Sequence, residues 1–147
     1  FPTVSVAAPG DRVSNAQLST LISAVRAETD AGRQELAARE IPELLNEAEL
    51  GDVDGRTLQD LAALLDTSNK EVRRLVAFAL SMFESRASFV VPRLTEILRL
   101  AECANLQRPN QADADTASTV RHAIKNINGM NMPQSVCMLK LQEPGGS

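Results

Sequence analysis

The sequence predicts an all-α fold built from antiparallel helical pairs, and three observations carry that expectation. Apolar residues recur with a helical period in six separate stretches. Capping residues and turn formers fall between those stretches. Aromatic residues make up only 3% of the chain, all of them Phe, which argues against sandwiches and barrels whose strands lean on aromatic and β-branched side chains.

Element by element, residues 1–13 hold Pro2, Pro9 and Gly10 without a sustained period and read as an extended arm. From Ser14, a candidate N-cap, Leu18, Leu21, Ile22 and Val25 form one apolar stripe. Asp30 caps a second helix carrying Leu36, Ala37, Ile41, Leu44, Leu45 and Ala48; Pro42 inside it either opens a fresh helix or kinks a continuous one. After a turn over 51–55, a third helix spans about Arg56 to Leu65. Ser68 to Glu71 spells a capping box, opening a fourth helix with Val72, Leu75, Val76, Ala79, Leu80 and Phe83 on one side. A fifth, capped at Ser88 with Pro92 near its start, carries Val90, Val91, Leu94, Ile97, Leu98 and Ala101. A polar loop over 107–115 leads to a sixth helix from about Thr116, stopped at Gly129. The stretch from Pro133 to Leu141 fits a short helix or a strand-like segment, and 143–147 read as a disordered tail, leaving one helical domain over 14–142.

The chain has 147 residues, 44% of them hydrophobic, which suits one packed domain rather than disorder. With 15 basic and 19 acidic residues its net charge is −4, and a pI near 5.0 excludes a general phosphate-binding footprint for nucleic acid. No apolar run approaches the roughly 18 residues that cross a bilayer. Residues 1–66 hold 12 acids and 5 bases, whereas 67–147 hold 7 acids and 10 bases. That asymmetry serves either as complementarity within the fold or as an acidic docking face for a basic partner.

Two helical pairs share a layout. Leu61 to Leu65 aligns with Leu94 to Leu98 at an offset of 33, and Val72-Arg73 with Val120-Arg121 at an offset of 48. Asp66 followed by Val72-Arg73-Arg74-Leu75-Val76-Ala77-Phe78-Ala79-Leu80 resembles the second helix of the HEAT-repeat family, which often reads Val-Arg-x-x-Ala-Ala-x-Ala-Leu after an Asp-bearing turn. A second copy, Asp115 and then Val120-Arg121-His122-Ala123-Ile124, keeps Val-Arg but loses the small residues. The resemblance covers about residues 54–128. It implies a short right-handed solenoid, or an irregular bundle, in which Arg73 and Arg121 pair with Asp66 and Asp115 between repeats.

Chemical motifs are sparse. His122 is the sole histidine and lacks neighbours at metal-ligand spacing, and no phosphate loop, nucleophile elbow or His-Glu-x-x-His pattern occurs. Asp52, Asp54 and Gly55 supply only part of a calcium loop, and Asp113 with Asp115 fail similarly. The expectation is a protein that is not an enzyme and holds no metal or cofactor. Cys103 and Cys137 form either one bridge or two unpaired thiols. A bridge, together with a first residue that is Phe rather than Met, suits a periplasmic or otherwise exported protein; a cytoplasmic one is the alternative.

Glu40, Glu43 and Glu47 share one helical face with no base at i+4 to neutralise them. They form either a solvated outer face or a docking stripe for a basic protein, with Arg73, Arg74 and Arg86 as the available internal counter-charge. The expected function is therefore a non-catalytic protein-binding module, in one version a bacterial immunity protein that inhibits a toxin or enzyme through its acidic face. A self-associating assembly subunit is the alternative, and a regulator binding a small molecule beside His122 is the third.

Overall fold

The structure, a computed structural model, describes residues 15–46, 50, 53–133 and 137. The arm over 1–13, the Ser14 cap, Glu47, most of 133–141 and the tail over 143–147 lie outside the described residues. Six α-helices follow one another among the described residues: α1 (Asn15–Ala27), α2 (Ala31–Asn46), α3 (Gly55–Ala63), α4 (Lys70–Ser81), α5 (Val91–Gln107) and α6 (Gln111–Asn128). Short 3-10 segments, Leu64–Asp66 and Glu84–Val90, extend α3 and precede α5. No strand occurs among the described residues, and the fold is all-α.

Local chemistry sets most boundaries. Asp30 caps α2, its Oδ2 accepting from the Arg33 N–H at 2.9 Å. The helix then runs unbroken through Pro42, so no fresh helix opens there. An interior proline removes one backbone donor and costs about 3 kcal/mol, which burial of its neighbours Ala38, Ile41 and Leu45 offsets. At α4 the cap is Asn69 rather than Ser68: its Oδ1 accepts from the N–H groups of Glu71 and Val72 at 3.1 and 3.2 Å. The Glu71 carboxylate is thereby spared from a capping box and binds Arg74 instead.

Ser88 likewise caps nothing, because the chain from Glu84 is already wound as a 3-10 segment that passes into α5 with Pro92 in its first turn. The long polar loop expected over 107–115 shrinks to 108–110. Asn110 opens α6 by accepting from the Asp113 N–H at 2.8 Å, while its Nδ2 donates to Asp113 Oδ2 at 2.7 Å. Gly129 ends α6 with φ 76°, a left-handed turn that glycine enters without a Cβ clash, and its N–H reaches the Lys125 carbonyl at 2.7 Å.

Packing arranges the helices as α1 with α2, α3 with α4 and α5 with α6, and the second members of these pairs lie side by side. α4 is the middle helix of that layer, packed against α2 and α6. The three run parallel with their N-terminal ends at one level. Asn69 Nδ2 donates to the Ala31 carbonyl and to Gln34 Oε1, both at 3.3 Å, and Lys70 Nζ lies 3.0 Å from Asp113 Oδ1. Leu18, Ile41, Leu61, Leu80, Leu94, Leu98 and Ile124 fill one continuous core between the pairs. Ala77 and Ala79 are fully buried, and their small size lets α4 approach its neighbours closely.

Candidate functional site

The layer of α2, α4 and α6 carries the charged side chains singled out by the sequence, and the structure sorts them sharply. On α2 the buried residues Ala38, Ile41 and Leu45 occupy one side, and Leu36, Glu40 and Glu43 stand on the opposite, exposed side. Leu36 is 59% exposed, comparable to Leu106 at 63%, and shares its side of α2 with Arg39 as well as Glu40 and Glu43. Neither Glu40 nor Glu43 forms an ion pair among the described residues. The expected internal counter-charges are engaged elsewhere. Arg73 donates to the Thr67 carbonyl at 2.9 Å, Arg74 pairs with Glu71 at 2.6 Å, and Arg86 reaches the Leu50 carbonyl at 3.0 Å.

The inter-repeat pairs implied by the family resemblance do not form. Asp66 pairs with Arg93, at 3.2 Å, rather than with Arg73. Side chains on a helix lean toward its N-terminus, which folds Arg73 back onto the Thr67 carbonyl in the preceding turn, while the Asp66 side chain points outward into solvent. Burial pushes the Arg73 guanidinium below its ordinary value, the Arg93 charge adds to this, and Asp113 opposes it. Asp115 accepts from Gln111 Nε2 at 2.7 Å rather than pairing with Arg121. Because α6 starts at Gln111, Asp115 lies on the same helix six residues before Arg121 and faces away from it. Arg121 instead binds Glu102 of α5, at 2.9 Å through Nε, and donates to the Met132 carbonyl at 3.0 Å.

Between α4 and α6 opens a cleft of about 580 Å³ that sequence reading did not single out as a place. Arg74 and Phe78 of α4 form one wall, Arg121, His122 and Lys125 of α6 the other, and Met132 closes an end. No described carboxylate lines it. Glu71 and Glu102 lie behind the two arginines, so each guanidinium is already held in place by a carboxylate. The Arg74 hydrogen bond keeps the Glu71 carboxyl below its usual range against the opposing effect of burial, and the charge of Arg39 on α2 adds to the lowering. Arg39 therefore acts on the same charge network as the cleft, joining the α2 surface to it. Lys125 is exposed and forms no ion pair among the described residues. Phe78 is 44% exposed, so an aromatic surface lies among cations.

Cys103 of α5 and Cys137 are joined, with an S–S distance of 2.02 Å, which ties Cys137 to α5. Among the described residues no group of His, Cys, Asp and Glu side chains is arranged to hold a metal ion, and no helix is long and apolar enough to cross a membrane. The one signal that pointed to the cleft was His122, through the reading of a ligand held beside it; its partners Phe78 and Lys125 carry no sequence motif. No protein-family model, curated protein or solved structure matches the chain.

Proposed function

We propose that this chain is a non-catalytic protein-binding module whose partner docks on the face formed by α2, α4 and α6. The observation that carries this reading is the exposed α2 stripe. Leu36 offers an apolar contact beside Glu40 and Glu43, two exposed carboxylates without ion pairs among the described residues, with the exposed Arg39 on the same face. Such a patch steers a basic protein and excludes like-charged competitors, while the apolar residue adds contact area. Paired helices whose second members lie side by side also support a stack of the HEAT type, in which one face is presented along its length.

In its most specific form the module is an immunity or inhibitor protein that neutralises a basic toxin or enzyme through that acidic face. The Cys103–Cys137 bridge supports residence in an oxidising compartment such as the periplasm, since thiols stay reduced in the cytosol. Affinity capture from source-cell extract, repeated with Glu40→Lys and Glu43→Lys combined, tests the reading. One dominant protein retained by the wild type and lost by the double variant is expected. A captured set that is identical for the two proteins would refute a partner on the acidic face.

A further inference from the structure

We infer that two copies of this chain pair face to face, the acidic α2 stripe of each seated on the α4/α6 cleft of the other. The inference rests on the protein-binding reading and names one partner for it, a second copy. Three observations converge on it.

Charge complementarity comes first. The α2 stripe shows Glu40 and Glu43 without ion pairs among the described residues, beside the exposed Arg39, and the cleft shows exposed Lys125 with no described carboxylate on its walls. Spacing comes second. Leu36, Glu40 and Glu43 stand at i, i+4 and i+7 on α2, and Ser118, His122 and Lys125 repeat that spacing on α6. Both triads are exposed and each spans roughly 10 Å of helix.

Symmetry comes third. Because α2, α4 and α6 run parallel in one layer with α4 in the middle, a two-fold axis along α4 lays α2 of one copy over α6 of the other. The helices remain parallel under that operation and heights along them are preserved. The contacts at their N-terminal ends place Glu40 and Glu43 within about one turn of His122 and Lys125. Glu43 then meets Lys125, Glu40 meets His122, and symmetry makes each pair twice. Phe78, exposed on the middle helix, meets its own copy at the axis. A closed, isologous dimer of this kind covers the apolar and the charged features of the face together.

Sedimentation velocity across protein concentration and salt tests the pairing on the full chain. The wild type is expected to dimerise, with the association weakening as salt rises, since the pairs lie near the surface. Glu43→Lys alone and Lys125→Glu alone each turn two attractive contacts repulsive, which weakens association by about tenfold or more. Mixing the two variants in equal amounts restores a heterodimer, because each 43–125 contact between them again joins opposite charges. Phe78→Ala weakens the dimer without changing its salt dependence. Circular dichroism confirms that the variants, all at exposed positions, remain helical.

A wild type that stays monomeric at hundreds of micromolar overturns the proposal. So does a dimer indifferent to both charge reversals, or one that mixing fails to restore. A monomer that still captures a foreign protein, lost on Lys125→Glu, assigns the cleft to that protein and leaves the protein-binding reading standing. A monomer that captures nothing ends both.

Discussion

Removing the Cys103–Cys137 bridge is expected to cost the fold about 4 kcal/mol. The two cysteines lie 34 positions apart, and the chain between them includes the end of α5, the three-residue loop and all of α6. In the chain-entropy model, cross-linking a loop of that length removes about 13 cal/mol/K from the unfolded ensemble, or roughly 4 kcal/mol at 25 °C. Cys103→Ala combined with Cys137→Ala deletes the cross-link without leaving a polar group in the buried site of Cys137. Urea denaturation followed by circular dichroism reads the effect. With a slope of about 2 kcal/mol/M, the midpoint falls by roughly 2 M, and the slope rises because the unfolded chain without the cross-link exposes more surface. The native contacts that remain, including the Arg121 bond to the Met132 carbonyl, act in the folded state and are common to both proteins. A loss below about 1 kcal/mol would refute the entropic account of this tether. Two titratable thiols in the unfolded, unreduced wild type would remove the bridge itself.

Three further outcomes are expected. Asn110→Ala deletes the side-chain acceptor at the start of α6 and lowers stability by about 1 kcal/mol, read by thermal unfolding; no change would mean that the Asp113 N–H finds another acceptor. Glu84 sits at φ 53°, a left-handed conformation that penalises a side chain, so Glu84→Gly raises stability by about 0.5–1 kcal/mol in the same assay. Burial raises the Asp113 carboxyl, but hydrogen bonds from Asn110 and Lys70 and the charges of Lys70 and Arg73 outweigh it and set it below its usual range. Glu71 is lowered as well, so below about pH 4 the unfolded chain binds more protons than the folded one. Stability from both groups is then complete above that pH and lost as pH falls through the folded values. Urea midpoints measured from pH 6 to pH 2 should therefore decline less steeply for Asp113→Asn than for the wild type.

The helices themselves were legible because amphipathic periodicity and capping are local properties. The stripe of Leu18, Ile22 and Val25, the Asp30 cap and the Gly129 stop each depend on residues within one or two turns. Where two local signals competed, tertiary context chose between them. Ser68 and Asn69 are both competent caps, and Asn69 prevails with its side chain also reaching Ala31 and Gln34 of α2. Asp113 and Asp115 read as loop acids, yet burial against Lys70 of α4 draws Asp113 into the first turn of a longer α6.

The acidic stripe was legible for the same local reason, since Glu40 and Glu43 share a face on any helix that contains them. Which bases of the other half of the chain answer that face was not. Arg73, Arg74 and Arg86 are equally plausible partners until the fold commits them to Thr67, Glu71 and Leu50. The cleft is more remote still from sequence, because Phe78 and Lys125 are brought together only when α4 packs on α6. By itself the sequence determined six amphipathic helices, their approximate ends and the sign of charge on each, all consequences of residues a few positions apart. Only the tertiary structure decided which long, flexible arginines are consumed inside the fold and which charges remain to meet a partner. That choice depends on distances between helices far apart in the chain, and the periodicity of any one helix carries no record of them.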